Sequence, residues 1–223
     1  MARCRVVVRA AADPFEATNR RIHGFNQQVR AHLLGPLAET YVAVIPPPWR
    51  EGIARAVANL AEPVTAVSGV IAGDPGVARN AISRFGINST LGWGGVRDVA
   101  AKRGLAHRPL PLADAACSRG VPSGPFLVLP LLGPSTVRDA GGLLVTSAAL
   151  AKLVGAEWIA GMGAGDPFVT YTARHEVLRQ VDTAALDSHA VFRSADLQRR
   201  AAACAIDRAR LLAREAAGDS DDR

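Results

Sequence analysis

The stretch that most limits what this chain can become is residues 124–142, GPFLVLPLLGPSTVRDAGG. It is strongly apolar, yet Pro125, Pro130 and Pro134 break it and glycines flank it. Each proline removes a backbone donor and pushes the residue before it out of the helical region. A long helix and a central strand are therefore both excluded. A membrane span is excluded too, since it needs about 20 predominantly apolar residues. The segment predicts an apolar loop surrounded by lipid or by a hydrophobic wall.

Elsewhere the pattern is helical. Asp-Pro pairs stand at 13–14, 74–75 and 166–167, with Asp suited to an N-cap and Pro to the first helical position. After the first, Phe15, Ile22, Val29 and Leu33 recur at heptad-like spacing; after the second, Val77, Ala81 and Phe85 step by four; after the third come Tyr171, His175 and Leu178. All are one-sided stripes. Further helices are predicted at 49–60, 62–72, 94–103 and 135–154. Residues 183–215, free of Gly and Pro, read as one long helix or two close ones. The nearly uncharged stretch 140–164 fits either a buried helix and turn or a helix at a lipid boundary. No β alternation is visible.

Chemistry-bearing patterns are sparse. The histidines at 23, 32, 107, 175 and 189 form no metal-binding pair, and no serine sits in a G-x-S-x-G elbow. His23 and His32 lie off the main apolar row and are expected at a solvated surface. The glycine runs at 92–95 and 161–165 lack the lysine and hydroxyl of a phosphate loop. Cys4, Cys117 and Cys204 show neither metal spacing nor an even disulfide framework, so Cys117 and Cys204 are expected as small, half-buried hydrophobes. No catalytic residue, metal or cofactor is predicted, and the chain does not read as an enzyme. Its net charge of +6 raises nucleic-acid binding, but the arginines are spread without a dense run. Solubility or anionic lipid accounts for them better.

Several ordered motifs carry a resemblance. They are Asp13-Pro14-Phe15-Glu16 with Asn19-Arg20 and Phe25-Asn26; Asn59-Leu60-Ala61-Glu62-Pro63; Gly73-Asp74-Pro75; and Arg84-Phe85. Then follow Asn88 to Gly92, Gly94-Gly95, Asp98-Val99-Ala100, the run Gly124 to Asp139, and Leu197-Gln198-Arg199-Arg200. Together they resemble the MlaA (VacJ) family of Gram-negative outer-membrane phospholipid-trafficking lipoproteins. The likeness is close over 13–142 and looser over 184–200. Departures mark a diverged paralogue: Cys117 stands at a glycine position, Arg119 at an aromatic one, and Asp196 where a tyrosine precedes Leu197.

The resemblance implies an all-α single domain of about seven to eight helices, arranged as a ring or flattened bundle around an amphipathic channel. The domain would span 13–216, after an N-terminal segment 1–12 (a remnant of a signal or lipid-anchor region) and before a disordered acidic tail, 217–223. The implied function is removal of mislocalised phospholipid from the outer leaflet, at the periplasmic face of the outer membrane. Its partners would be phospholipid, a periplasmic lipid carrier and a trimeric porin. The alternative is a soluble helical binding or scaffold protein without lipid passage. Cys4 is the implied lipidation site, although Met1-Ala2-Arg3-Cys4 shows no apolar leader or lipobox. The channel or its rim would use Phe25, Asn26, Asn88, Ser89, Thr90, Phe126, Leu127, Leu129, Leu131 and Leu132. Phe25 is equally compatible with an ordinary core position, and Asn88 to Thr90 with a helix end. Arg84 and Arg97 are candidate headgroup contacts, because guanidinium binds phosphate in a bidentate fashion, although solvated surface positions suit both better. Arg138-Asp139 is expected as a local ion pair fixing the proline-broken loop.

Overall fold

The structure is a computed structural model that describes residues 13–155 and 167–221. Asp13 opens it: its carboxylate accepts from the Phe15 N–H (3.1 Å) and the Asn19 amide (2.8 Å). Helix α1 (Glu16–Val29) then continues through a π-helical turn (Arg30–Leu34) into α2 (Gly35–Val44). The wide turn receives Pro36, which has no N–H to give an ordinary helix. Gly35 is required there, because a Cβ would lie 2.9 Å from the Arg30 carbonyl. Ile45 is extended before the proline run, and α3 (Pro47–Leu60) begins with prolines in its first turn.

Helices α4 (Glu62–Ala72) and α5 (Pro75–Thr90) form the most closely packed pair. Gly73 (φ 73°) ends the first in the left-handed region, and the Asp74 carboxylate caps the second by accepting from Val77 N–H at 2.8 Å. This is the cap expected from Asp74-Pro75. The third Asp-Pro pair starts at Asp166, outside the described residues. So do segment 1–12, Cys4, the 161–165 glycine run and the second half of the 140–164 stretch.

The helix expected at 94–103 shortens to α6 (Val99–Lys102). Gly94 and Gly95 take φ of 69° and 97°, which no right-handed helix accepts. Helix α7 (Leu112–Ser118) follows, then strands β1 (Phe126–Leu129) and β2 (Gly133–Thr136), then α8 (Val137–Val154). The two strands correct the expectation of an irregular loop and of no β structure. They pair antiparallel, Phe126 with Thr136 through Leu129 with Gly133. Pro134 faces Val128, whose own N–H points away from β2 to the Asn19 side chain, so this position asks no donor of proline.

A helix at 167–172 (α9) leads to α10 (His175–Ala184) and the long α11 (Ser188–Asp221). The stretch from 217, expected as a disordered tail, is helical as far as Asp221; no proline interrupts it. The mostly helical single domain is as expected, while the short turns α6, α7 and α9 raise the number of helices above seven or eight. A disulfide joins Cys117 on α7 to Cys204 on α11, with Cα atoms 5.7 Å apart. It replaces the two separate hydrophobes expected: α7 packs along α11 and brings residues 87 apart in sequence together.

Candidate lipid-handling surface

Asn19 and Asn26 lie seven residues apart on one face of α1. The Asn19 amide accepts from Val128 N–H (2.8 Å) and donates to the Phe126 carbonyl (3.1 Å). The Asn26 amide donates to the Leu129 carbonyl (2.9 Å) and accepts from Leu131 N–H (2.8 Å). A carboxamide offers one donor side and one acceptor side, matching a strand edge. Two buried asparagines thus stand in for a third strand and close the hairpin edge. Asn26 is therefore a clasp for the apolar segment, its amide bonded on both its donor and its acceptor side to the hairpin backbone. Phe25 beside it is exposed.

The other strand is held from below. The Thr136 hydroxyl donates to the Asp139 carboxylate at 2.7 Å. That carboxylate also meets Arg138 (3.4 Å) and Arg200, whose guanidinium further donates to the Pro134 carbonyl (3.3 Å) and to Asp196 (2.5 Å). The expected Arg138–Asp139 pair is present, and Arg200 of α11 completes it. Phe126 is buried against the His189 ring, with the Arg193 guanidinium 5.7 Å from its ring centre. β1 turns Phe126 and Val128 inward. Leu127 and Leu129 are half-buried, and Leu131 and Leu132 are exposed at the hairpin tip.

His23 corrects the expectation of a solvated histidine; His32 is exposed as expected. His23 shares the face of Asn19 and Asn26, sits 5.5 Å from the rings of both His189 and Phe192, and shares a hydrogen bond with Ser188. Burial first, and the Arg30 charge second, hold its pKa below the ordinary histidine value. Burial lowers that of His189 as well.

A second network gathers four of the quoted motifs. Arg84 donates to Glu62 (2.6 Å), to Asp98 (3.0 Å) and to the Leu105 carbonyl (2.5 Å). Asn88 donates to Asp98 (3.1 Å) and accepts from Ala100 N–H (2.9 Å), and His107 meets Glu62 at 3.0 Å. Asn59 donates to Ser89 (3.0 Å), and the Thr90 hydroxyl returns to the Gly86 carbonyl. Glu62 is 1% exposed and Arg84 is also buried. Arg84, expected as a headgroup contact, is enclosed here, and each of its three guanidinium nitrogens donates to a protein oxygen. Asn88 likewise serves the helix junction. Arg97 is exposed and stacks on Trp93, 4.7 Å from the ring centre, so it remains available to phosphate.

With amides and ions inside, the apolar side chains lie outside. Helix α4 turns Glu62, Thr65, Ser68 and Gly69 inward and exposes Val67, Val70 (70% exposed) and Ile71. Ile82 and Phe85 on α5, Leu91, Trp93 and Val96 after it, and Leu143 to Val145 on α8 are exposed too. The buried apolar residues are mostly alanines. Each large aliphatic or aromatic side chain left in water forgoes about 1.5–3 kcal/mol of burial, so this surface would gain from an apolar neighbour. Among the described residues no helix is long and apolar enough to cross a membrane, and no cluster of three or more His, Cys, Asp or Glu could hold a metal ion.

Comparison with known proteins agrees with the motifs. The family model described as MlaA lipoprotein matches residues 11–203. An uncharacterised protein of Rickettsia felis is 34% identical over 142 residues, 64% of this chain and 57% of that protein. The intermembrane phospholipid transport system lipoprotein MlaA of Escherichia coli is 34% identical over 138 residues, 59% of this chain and 54% of its own length. That of Haemophilus influenzae is 31% identical over 195 residues, 83% of this chain and 76% of its own. This chain thus spans little more than half of the first two relatives. A solved structure, described as the structural basis for maintenance of bacterial outer membrane lipid asymmetry, superposes with a TM-score of 0.74 at 30% identity. The superposition covers 86% of this chain and 99% of that one.

Proposed function

Because this chain belongs to the MlaA lipoprotein family, we propose that it moves phospholipid between membranes. It would act from the periplasmic face of the outer membrane and keep the outer leaflet free of stray phospholipid. The observation that carries this reading is the reversed polarity of α4, which turns Glu62, Thr65 and Ser68 inward and leaves Val67, Val70 and Ile71 outside, with Ile82 and Phe85 of α5 exposed as well. A lipid crossing water exposes its tails at about 0.8 kcal/mol per CH₂. An apolar surface backed by rigid polar packing removes that cost, and no bond need be made or broken. The Cys117–Cys204 disulfide fits an oxidising compartment such as the periplasm. A soluble carrier would be the acceptor and a porin a neighbour in the membrane. An amphipathic passage beside the hairpin would carry the lipid, with Leu131 and Leu132 at its mouth.

The test has two arms. Purified chain in donor vesicles should speed transfer of labelled phospholipid to acceptor vesicles or to a periplasmic carrier. Deletion of the gene, in a strain without a second family copy, should raise surface phospholipid and detergent sensitivity. A purified chain that stays soluble, binds no lipid and leaves both cellular measures unchanged on deletion would establish the scaffold alternative instead.

A further inference from the structure

We infer that the loop at 91–98, with Trp93 and Arg97 at its tip, is a headgroup anchor that seats the protein at the polar–apolar boundary of an anionic phospholipid leaflet. The inference rests on the lipid-handling reading above and adds to it a named point of contact. Trp93 has φ of 56° and is followed by two left-handed glycines. A bulky L residue takes that backbone only when its surroundings impose it. Here they do. Gly94 N–H is bonded to Ser89 (3.2 Å), Gly95 N–H to Asn88 (2.8 Å) and Arg97 N–H to Gly92 (2.9 Å). A Cβ on Gly95 would lie 2.5 Å from that of Asn59, so the close approach of the loop to α3 requires glycine there.

What this wound loop displays is an indole left 69% exposed, between exposed Leu91 and Val96. Among the described residues one other non-glycine residue has positive φ, Leu131, and it too displays an apolar side chain, at the hairpin tip. The indole's close companion is the Arg97 guanidinium. Asp98 next door is held by Arg84, Asn88 and the Ala101 N–H, so it does not neutralise Arg97. Lys102 and Arg103, one short helix further on, are exposed and make no ion pair among the described residues. An acidic protein face would select the three cations but not the apolar hook. A leaflet boundary selects both, the indole at headgroup level and the cations against phosphate.

The test uses the chain with Trp49→Phe and Trp158→Phe, which leaves Trp93 as the sole tryptophan of its sequence. Vesicles of phosphatidylcholine and phosphatidylglycerol carry bromine either near the glycerol end or near the methyl end of one acyl chain. Trp93 emission should shift to the blue and be quenched more by bromine near the glycerol end. Removing Arg97, Lys102 and Arg103 together (R97Q, K102Q, R103Q) should weaken partitioning onto phosphatidylglycerol vesicles by on the order of 100-fold, about 5-fold per cation. Binding to pure phosphatidylcholine should stay within about twofold, since the hook is intact. A vesicle-bound chain with unquenched Trp93, or a triple variant that partitions unchanged, overturns the anchor and leaves the transport reading standing. Quenched Trp93 in a chain that transfers no lipid does the reverse.

Discussion

Replacing Arg84 by methionine should destabilise the fold by about 3–5 kcal/mol, the usual result of orphaning one partner of a buried ion pair. Glu62 is 1% exposed and receives Arg84 at 2.6 Å; without it only His107, at 3.0 Å, remains. The Leu105 carbonyl loses its donor as well. For a chain of this length, each kcal/mol moves the melting temperature by about 2–4 °C, so the variant should melt about 6–20 °C lower. Far-UV circular dichroism in a mild detergent reads this directly. The double variant Glu62→Gln with Arg84→Met should recover more than half of the loss, because the deeply buried carboxylate is then neutral and the part-buried Asp98 keeps Asn88 and the Ala101 N–H. Asp98 adds a pH signature. Burial pushes its pKa up, but hydrogen bonds from the Ala101 N–H, Arg84 and Asn88 outweigh this and hold it below the ordinary carboxylate value. Its contribution is therefore present above about pH 4 and lost as pH falls through the lower folded value. Arg84→Met should flatten that acid limb. An Arg84→Met chain with a wild-type melting temperature and abolished lipid transfer would refute the reasoning and return Arg84 to the headgroups.

The disulfide closes a loop across 87 residues; chain-entropy arithmetic assigns this about 4–5 kcal/mol, so Cys117→Ala with Cys204→Ala should lower the denaturation midpoint accordingly, and peptide mass spectrometry should find the crosslink. His23 and His189 have folded-state pKa values lowered by burial, so their contribution is full above about pH 6.5 and lost as pH falls through the folded values; chemical denaturation at stepped pH should show a decline that His23→Phe reduces and that His23→Phe with His189→Phe removes. Gly69→Ala should cost about 1–3 kcal/mol despite alanine's better helix propensity, since its Cβ would lie 2.8 Å from the Ala78 backbone nitrogen. Gly86→Ala, with nothing within 4 Å, should instead stabilise by about 0.5–1 kcal/mol, and the two melting curves should move in opposite directions.

What could be read from sequence was local. Gly73-Asp74-Pro75 writes a left-handed stop, a cap and a first helical proline into three adjacent residues, and α4 and α5 meet there as expected. Arg138–Asp139 was legible because the partners are neighbours. The hairpin was not: Phe126 to Leu129 is uniformly apolar, so it has no period of two, and β2 contains both Gly and Pro. Its strand geometry depends on side chains more than 100 residues away, the amides of Asn19 and Asn26. The same distance problem hid Cys117–Cys204 and the Arg200 clasp on Asp139, and it made Arg84 look free when Glu62 and Asp98 hold it. His23 carried a usable signal: with Asn19 and Asn26 it forms an i, i+4, i+7 row, and a row of amides and imidazole facing one way is a buried polar seam.

That row exposes the deeper ambiguity. Hydrophobic periodicity locates the two faces of a helix but does not say which one meets water. In a soluble protein α4 would bury Val67, Val70 and Ile71 and leave Glu62, Thr65 and Ser68 to solvent. Here Glu62 is matched by Arg84 and His107, and Thr65 accepts from Leu110 N–H at 3.5 Å. A carboxylate is far costlier to strip of water than a valine is to expose, so the side on which Glu62 finds cations must be the inside. The apolar stripe is then outside by elimination, not by preference.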